Sequence, residues 1–390
     1  MREEPIRVLQ VVGRMDRGGI ETMIMNLYRH MDREKVQFDF LAHYGREAAY
    51  NAEIRALGGR IYEMPALKDE RRVYYWRLGL YRQALRRFFQ EHTEYRILHG
   101  HMTNTAAIYM PIAKQYGVTC RISHSHNTHA KAGLAGVVTD LLQKPIYQYA
   151  TDFFACSEAA KGWFYPPQLI AAGQVQVLAN AVDAARFRFS AEQRGQLRRE
   201  LGLGNALTVV CVARFRPEKN QIFLLEVLRE LRRLREDAVV LFVGEGPCEA
   251  MVREKAAASG LADHTRFLGM RTDVPELLSA SDAFVLPSRW EGLPVTVIEA
   301  QANGLHCVVT EGLTEEMNAL GMVEYVSLQA SPAAWAQALL RAAEQPRRDT
   351  YGDMQASGYD IETTAPWLQE FYLRRYEEAE HNGGERRELR

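Results

Sequence analysis

SRWEGLPVTVIEA, residues 288–300, is the most informative segment of this sequence. It follows the short apolar run AFVL, residues 283–286, which predicts a buried parallel strand. It leads into a helical pattern that has Pro294 in a first-turn position and Gly304 as its stop. Ligands of open α/β sheets bind at the carboxyl ends of the strands, so this strand–loop–helix unit predicts a binding site.

Two glutamates of this segment, Glu291 in the loop and Glu299 on the helix, stand eight residues apart. Between them, the loop amides and the positive end of the helix favour an anion, most often a phosphate. A carboxylate is a poor ligand for phosphate but a good acceptor for a pair of neighbouring hydroxyl groups. The segment therefore predicts a ligand with phosphates in its middle and hydroxyl-rich rings at both ends, as in a sugar nucleotide.

The string EGLPVTVIEA, residues 291–300, resembles the E-x7-E signature of retaining family-4 glycosyltransferases of the GT-B fold. Two glutamates at this spacing alone would also fit an ordinary amphipathic helix, but the full string in its strand-to-helix setting favours the glycosyltransferase. The resemblance extends over nearly the whole chain and is typical of glycosyltransferases of capsule and exopolysaccharide synthesis. It implies an α/β protein with two Rossmann-like, doubly wound parallel-sheet domains that face a cleft.

Strand and helix patterns alternate along both halves of the chain, and 390 residues are many for a single core, which indicates two domains. We predict an N-terminal, acceptor-side domain over residues 1–184 and a C-terminal, nucleotide-sugar-binding domain over residues 185–364. The string NAVD at 180–183 resembles the N-G-V-D string that closes the first domain in the family. The resemblance also implies that a helix at 365–379 packs back on the first domain.

Gly18 and Gly19 are candidate donor-binding residues of the first domain. They lie between the strand pattern 6–12 and the helical pattern 20–31, where glycine lets a backbone approach a ligand closely. A plain tight turn is the alternative. The resemblance implies that this loop faces the donor phosphates, which favours the binding site.

His126 is the candidate catalytic residue of the first domain. It ends the string RISHSH, residues 121–126, and a histidine at the carboxyl end of a strand can hydrogen-bond to a sugar hydroxyl or a developing charge. Family proteins have a histidine at the end of the corresponding strand, and the register favours His126 over His124. Two histidines two residues apart could instead be metal ligands, but no carboxylate or cysteine is near enough to complete a set.

The segment ARFRPEKN, residues 213–220, resembles the family's G-R-x-x-x-E-K string, with Ala213 in place of the glycine. Arg214 is a rigid fork that suits phosphate, and Lys219 is a flexible point charge beside it. A basic loop in water is the alternative, which the strand before the segment and the helix after it disfavour. The string GEGPCE, residues 244–249, has a glutamate where a dinucleotide fingerprint needs its third glycine, so we expect no nicotinamide cofactor.

The resemblance implies a retaining transfer in which negative charge grows on the departing nucleoside diphosphate. Fixed cations and amides would stabilise this charge, and the sequence contains no Asp-x-Asp string that would hold a metal instead. We therefore expect no metal and no cofactor, with UDP as the nucleotide on family frequency. The expected catalytic residues are His126 and Glu291, and the expected donor-binding residues are Gly18, Gly19, Arg214, Lys219, Met270, Arg271, Gly292, Leu293, Pro294, Val295 and Glu299. The resemblance implies that Glu299 holds the ribose hydroxyls, that Glu291 holds the donor sugar, and that the backbone at Met270 and Arg271 meets the nucleobase.

The segment 71–89, RRVYYWRLGLYRQALRRFF, is basic and rich in aromatic residues. It predicts either contact with an anionic membrane surface or a helix that packs its aromatic side chains on the sheet. Residues 1–184 contain 23 Lys and Arg against 18 Asp and Glu, which agrees with an anionic partner but is a modest excess. We expect a glycan or lipid-linked acceptor and no nucleic acid.

We expect a cytoplasmic protein, with a peripheral place at the inner face of the membrane as an open alternative. No apolar run approaches the roughly 20 residues of a membrane span, and the five scattered cysteines form no C-x-x-C pair. Two other functions remain open. A non-hydrolysing sugar-nucleotide epimerase would share the fold and the donor, and a non-catalytic, two-domain sugar-binding protein would share only the fold.

Overall fold

The computed structural model of this protein describes residues 4–16, 18–43, 47–67, 77–126, 143 and 145–388. The chain divides into two compact units. The first comprises Met1–Ala181 together with Ile361–Arg390, and the second comprises Val182–Asp360. The boundaries expected from the sequence, after residues 184 and 364, lie a few residues beyond these.

The first unit is built on a sheet of seven parallel strands in the order β3-β2-β1-β4-β5-β6-β7. The strands are β1 Ile6–Val12, β2 Val36–Ala42, β3 Ile61–Glu63, β4 Ile97–Gly100, β5 Cys120–Ser125, β6 Asp152–Ala155 and β7 Val175–Val177. The helices of the described part of this unit include α1 Gly19–His30, α2 Asn51–Ala56, α3 Leu78–Glu91, α4 Thr103–Gln115, α5 Glu158–Phe164, α6 Pro167–Ala171 and α14 Ile361–Glu388.

The second unit has six parallel strands in the order β10-β9-β8-β11-β12-β13. The strands are β8 Thr208–Val212, β9 Val239–Val243, β10 Thr265–Phe267, β11 Ala283–Leu286, β12 Cys307–Thr310 and β13 Val323–Val326. Its helices are α7 Ala191–Glu200, α8 Gln221–Leu234, α9 Glu249–Ala258, α10 Val274–Ala280, α11 Val295–Ala302, α12 Pro332–Glu344 and α13 Tyr351–Ser357. The two sheets confirm the prediction of two doubly wound parallel-sheet domains.

Helices cover both faces of the first sheet, as fully buried parallel strands require. One face packs on α1 and α14, where Phe38, Ile122 and Tyr372 belong to one buried cluster. The returning helix was expected at 365–379, and α14 extends beyond that range at both ends. The other face packs on α3 and α4, with Tyr81 and Tyr109 fully buried.

The basic aromatic segment is described only from residue 77 onward, so its residues 71–76 lie outside the described part of the chain. Within α3, the aromatic side chains of Tyr81, Phe88 and Phe89 are buried. The arginines Arg86 and Arg87 are exposed on the opposite side. This arrangement is the packed helix that the sequence offered as one alternative, and it leaves the arginines facing solvent.

Two further observations concern membranes and disulfides. In the part of the chain that the structure describes, no helix combines the length and the apolar character needed to cross a bilayer. All five cysteines are free thiols, and four of them are buried.

Candidate active site

Adjacent strands β8 and β11 place the two predicted motifs side by side in the second unit. The strand order switches at this parallel pair, because β9 and β10 lie on one side of β8 and β11, β12 and β13 lie on the other. In α/β sheets, ligands bind in the crevice at the carboxyl ends of the strands at such a switch point. The loop after β8 contains Arg214 and Lys219, and the loop after β11 contains Glu291. A hydrogen bond of 2.8 Å from the amide of Arg289 to the carbonyl of Glu218 ties the two loops together.

Lys219 and Glu291 form an ion pair at this crevice. The Lys219 Nζ lies 2.6 Å from Oε1 and 2.7 Å from Oε2 of Glu291. The hydroxyl of Ser288 donates to the same Glu291 Oε1 at 2.6 Å. The side chain of Glu291 is 9% exposed and that of Lys219 is 22% exposed, so the pair is largely shielded from water. The sequence assigned the two residues to different parts of the donor, and the structure joins them.

The start of α11 presents unused amides next to this pair. The helix begins at Val295, so Pro294 stands just before the first helical residue and not in the first turn. No side chain caps this end, and the amides of Gly292, Leu293 and Val295 donate to no other described residue. Helix N-termini with uncapped amides and a positive dipole end bind anions, which makes this the strongest candidate phosphate site.

Close backbone packing explains the glycines that resemble part of a dinucleotide fingerprint. A Cβ on Gly244 would lie 2.4 Å from the carbonyl oxygen of Ala213, and one on Gly246 would lie 2.4 Å from that of Phe215. The loop after β9 therefore rests directly on the loop after β8. This contact holds the backbone of Arg214, whose carbonyl also accepts a 2.9 Å hydrogen bond from Gln221.

Glu299 is a buried carboxyl group on α11. Its residue is 9% exposed, and burial raises the pKa of its carboxyl group from the usual 4.5 to about 7, while the positive charge of Arg186 opposes the rise. Arg186 is held in place by a 2.8 Å hydrogen bond to the carbonyl of Thr272. Hydroxyl donors from a ligand would stabilise the ionised form, as the predicted ribose contact requires.

Met270 and Arg271 lie in the loop after β10, where the sequence predicted backbone contacts with a nucleobase. The amide of Met270 is 3.4 Å from the Glu245 carboxylate, and its side chain is among the exposed large apolar ones. The Arg271 guanidinium pairs with Asp273, with Nε 2.7 Å from the carboxylate. Because this side chain is engaged by its neighbour, a donor contact from Arg271 would use its backbone, as predicted.

Gly18 and Gly19 form the junction between β1 and α1 in the first unit. Gly18 precedes the helix in an extended conformation that any residue can adopt, with φ −123°. A Cβ on Gly19 would meet nothing within 4 Å. Gly18 therefore needs no glycine-specific backbone angle, and Gly19 has open space for a side chain. The close approach of a ligand at these two residues stays a prediction, with a plain tight turn as its alternative.

His126 directly follows β5 and belongs to a cluster of four imidazoles. His99 and His101 at the end of β4 lie beside His124 and His126 at the end of β5. In the sequence, no further metal ligand was recognised near His124 and His126. The structure brings two histidines, His99 and His101, beside them. Burial lowers the pKa of His126 to about 3, so its ring is neutral at physiological pH.

Nitrogens of His99, His101 and His124 lie within 4.8 Å of one another, a spacing that could hold a metal ion. The rings of His99 and His101 are stacked, however, with a 20° angle between their planes and 4.4 Å between their centres. The lone pairs of an imidazole lie in its ring plane, so those of His99 and His101 lie in two nearly parallel planes and are poorly placed to converge on one ion. Their nitrogens also hydrogen-bond to neighbouring side chains, so the geometry favours a hydrogen-bonded network over a metal centre.

Two family models match the chain, Glycosyltransferase Family 4 over residues 17–186 and Glycosyl transferases group 1 over residues 193–359. EpsF of Bacillus subtilis (strain 168), a protein named as a glycosyltransferase, is 33% identical over 382 residues. These residues are 95% of this chain and 97% of EpsF. The chain belongs to the family-4 glycosyltransferases.

Other relatives agree with this assignment. The glycosyltransferase is 21% identical to CapH of Staphylococcus aureus, named as a capsular polysaccharide biosynthesis glycosyltransferase, over 94% of this chain and 99% of CapH. Its fold matches that of Anabaena HepE in complex with UDP at a TM-score of 0.75 and 17% identity, over 94% of this chain and 99% of HepE. HepE has also been solved with UDP-glucose. The fold is therefore GT-B.

Sequence reasoning missed several residues of the glycosyltransferase that contact or surround the predicted ones. Ser288 was given no role, although a serine hydroxyl three residues before a glutamate in a tight loop is a recognisable hydrogen-bond donor to that carboxylate. The pair His99 and His101 repeats the H-x-H pattern of His124 and His126 at a strand end, and that repetition was the available signal. Arg186 had no signal in the sequence, because its approach to Glu299 depends on the folded chain.

Proposed function

We propose that this glycosyltransferase moves a hexosyl group from a nucleotide sugar to a glycan or lipid-linked acceptor, with retention at the anomeric carbon and without a metal. A UDP-sugar is the proposed donor, and synthesis of a surface polysaccharide is the proposed process. The names of EpsF and CapH and the complexes of HepE with UDP and UDP-glucose support these assignments.

The arrangement at β8 and β11 is the observation on which this proposal rests. Three groups follow one another from the loop after β11 into α11. They are the shielded Lys219–Glu291 pair, the uncapped amides at the start of α11 and the buried carboxyl group of Glu299. They offer, in order, a sugar contact, a phosphate contact and a ribose contact. A nucleotide sugar has those three parts in that order.

In the proposed reaction, the bond between the anomeric carbon and the β-phosphate oxygen breaks, and the electron pair stays on the phosphate. The acceptor hydroxyl forms the new bond on the same face, and its proton leaves with the nucleoside diphosphate. The α11 amides and the guanidinium of Arg214 stabilise the growing negative charge. Because Lys219 has three N–H donors and Glu291 uses two oxygens, the ammonium can keep its partner and still donate to a phosphate.

Glu291 has two tasks in this scheme. It accepts hydrogen bonds from the donor sugar, and it fixes the ammonium of Lys219 before the donor arrives. Ser288 holds the carboxylate in place through the Glu291 Oε1. Preorganised groups of this kind lose little free energy to rearrangement during the reaction, which is the main benefit of a rigid site.

The contributions of Gly18, Gly19 and His126 stay predictions, as do the nucleobase contacts of Met270 and Arg271. The epimerase and the non-catalytic sugar-binding protein find no support among the relatives. An epimerase would in addition need carboxyl groups acting as acid and base on the sugar, whereas Glu291 is bound to Lys219.

The test is to incubate the pure protein with UDP- and GDP-sugars separately, with and without membrane lipid extract as acceptor. Release of the nucleoside diphosphate and thermal protection are measured for each donor, and the anomeric configuration of the product is read by NMR. The proposal predicts acceptor-dependent release from a UDP-sugar and an unchanged anomeric configuration. An inverted product would exclude the retaining mechanism, release from GDP-sugars alone would exclude UDP, and an altered sugar still bound to its nucleotide would indicate the epimerase.

A further inference from the structure

The four histidines form a compact array on one face of the first sheet. His99 and His101 are two residues apart at the end of β4, and His124 and His126 are two residues apart at the end of β5. Residues two apart on a strand share a face, so all four side chains project to the side that α14 covers. The ring centres of His101 and His126 are 5.2 Å apart, and those of His124 and His126 are 4.1 Å apart. Two further side chains complete the array, Gln10 from β1 and Tyr372 from α14, and both are fully buried.

A first hydrogen-bond chain runs from Gln10 through His101 to His126. The Gln10 Oε1 lies 2.9 Å from His101 Nε2, and His101 Nδ1 lies 2.9 Å from His126 Nε2. A carbonyl oxygen only accepts, so His101 Nε2 carries the proton. A neutral imidazole has a single N–H, so His101 Nδ1 accepts and His126 Nε2 donates to it. The Nδ1 of His126 is left with a bare lone pair and has no partner among the described residues.

A second chain runs from Tyr372 through His99 to His124. The amide Nε2 of Gln10 donates to the Tyr372 hydroxyl at 3.5 Å, which leaves that hydroxyl free to donate to His99 Nδ1 at 2.6 Å. His99 Nε2 then donates to His124 Nδ1 at 3.0 Å, and His124 Nε2 keeps its proton. This last nitrogen is also buried without a partner among the described residues.

Both chains thus start at one amide group. If the Gln10 amide were reversed, each proton in both chains would shift to the other ring nitrogen, and His126 Nδ1 would become a donor. The neutral state on which this logic depends is ensured by burial, which lowers the pKa values of His99 and His126 to about 3 and holds those of His101 and His124 well below the usual value.

We propose that Gln10 and His101 are positioning residues that fix His126 as the Nε2–H tautomer, with Nδ1 as a hydrogen-bond acceptor. The ligand group that His126 takes is then a hydrogen-bond donor. Of the groups in a nucleotide sugar that could reach it, a sugar hydroxyl has a proton to donate, whereas an ionised phosphate oxygen or a carbonyl oxygen has none. The functional part of this inference rests on the proposed glycosyl transfer, in which a hydroxyl of the sugar is the hydrogen-bond donor to His126. The tautomer itself does not depend on any activity.

The tautomers are measured directly by long-range proton–nitrogen correlation NMR on the full-length protein labelled with ¹⁵N-histidine. Single His→Asn variants assign the signals. All four rings of the wild-type cluster are expected as Nε2–H tautomers at pH 7.5. An Nδ1–H signal from His101 or His126 overturns the proposal, whatever the protein does to nucleotide sugars.

The role of Gln10 is tested by Gln10→Met, which keeps the length of the side chain and removes both hydrogen-bonding groups. Mixed tautomers are expected at His101 and His126, with kcat lower by about tenfold and an unchanged affinity for the nucleoside diphosphate. The control is Gln37→Met, because Gln37 is a glutamine of the same unit that bonds to Tyr28 away from the cluster. Unchanged tautomers in Gln10→Met overturn the role of Gln10. If that variant fails to fold, the wild-type spectrum and Gln10→Leu still decide the question.

A failure of the proposed function has a different signature. If no nucleotide sugar is turned over but the four Nε2–H signals are present, the network stands and the glycosyl transfer falls. If transfer occurs but His126 shows an Nδ1–H signal, the transfer stands and the network falls.

Discussion

Lys219 Nζ lies within 2.7 Å of both carboxylate oxygens of Glu291, so the cation and the anion expected to serve different parts of the donor are held as one pair. Their charges cancel, so the pair adds no net charge to the candidate phosphate site, and the start of α11 with its positive dipole end is what favours an anion there. Removal of one partner of such a partly buried ion pair strongly destabilises the folded protein, because the other charge is left buried and uncompensated.

The first prediction concerns the two cations. Arg214→Ala and Lys219→Ala are each expected to lower turnover at least tenfold, about 1.4 kcal/mol of barrier, because each removes charge from the leaving-group site. Arg216→Ala is the matched control, since Arg216 belongs to the same loop but is exposed. Lys219→Ala and Glu291→Gln should also be non-additive in a double-mutant cycle, because each breaks the same ion pair. Wild-type turnover in both single variants would contradict the assignment of this loop.

The second prediction concerns metals. Activity is expected to survive an excess of EDTA, because fixed cations and amides stabilise the departing diphosphate. The measurement is turnover before and after dialysis against EDTA, with the metal content of the protein determined in parallel. Loss of activity that Mn²⁺ or Mg²⁺ restores would show that a metal takes part.

The third prediction follows from the pKa of about 7 at Glu299. In the proposed contact, ribose hydroxyls donate to the ionised carboxylate, so binding lowers the pKa of Glu299 and releases a proton when the pH is below 7. Nucleoside diphosphate affinity should therefore fall as the pH drops below 7, by up to about tenfold per pH unit. Calorimetric titrations from pH 6 to 8 measure the effect against Glu299→Gln. In the variant, the pH dependence of the affinity should come only from titration of the ligand's phosphates. An equal pH dependence of the affinity in both proteins would rule out the contact.

The second part of the third prediction concerns stability and the same carboxyl group. Its pKa is raised on folding, so its contribution to stability is present below pH 4.5 and is lost as the pH rises through 7. Without ligand, the free energy of unfolding of Glu299→Gln should therefore exceed that of wild type at pH 8 by up to about 3 kcal/mol. Near pH 5 the two free energies should differ little. Urea unfolding at the two pH values measures this, and a less stable variant at pH 8 would show that Glu299 stabilises the fold.

The fourth prediction concerns the exposed arginines of α3. If this face contacts membrane, binding to vesicles of anionic lipid should weaken with salt and in the variant Arg86→Glu/Arg87→Glu. Arg229→Glu/Arg233→Glu is the control, because it places the same charge change on an exposed face of α8. Vesicle sedimentation at low salt decides the point, and no binding of the wild-type protein would leave α3 as a packed helix only.

The fifth prediction separates three side chains by what they contact. Glu299→Ala should weaken donor binding more than it slows the bound reaction, since the ribose contact is equal in ground and transition states. His126→Ala should lower kcat and leave nucleoside diphosphate affinity nearly unchanged, and Glu291→Ala should fall between the two. Titration of the free nucleoside diphosphate into the three variants is the measurement. Loss of affinity in His126→Ala with retention in Glu299→Ala would mean that the donor binds in the opposite direction.

Buried strands were the part of the fold that sequence patterns revealed. Both faces of β1 and β11 are covered by helices, which requires the continuous apolar runs that were visible in the sequence. The edge strands β7 and β13 were missed. The sequence of β13, VEYV, is half-buried, and its Glu324 pairs with Arg341 on the outer side, so it has no apolar run to recognise.

The site divides in the same way between local and distant information. Glu291, Glu299 and the amides of α11 lie within one short segment, and the local pattern was enough to propose them as site residues. The Lys219–Glu291 pair joins residues 72 positions apart in sequence, and it depends on β8 and β11 being neighbours in the sheet. The histidine network needs β1, β4, β5 and α14 together, so no single segment contains it.

Helix α14 brings the last part of the chain back to the first unit, where Leu368, Phe371 and Tyr372 are buried against β1, β2 and α1. On the ribosome, the first unit is therefore begun first and finished last. Until residues beyond 360 emerge, the face of its sheet that includes Phe38 and Phe154 has only α1 to cover it, while the second unit is already complete. The nascent chain would then expose an apolar sheet face for the whole time needed to make the second unit, which is the interval in which a chaperone would have to protect it.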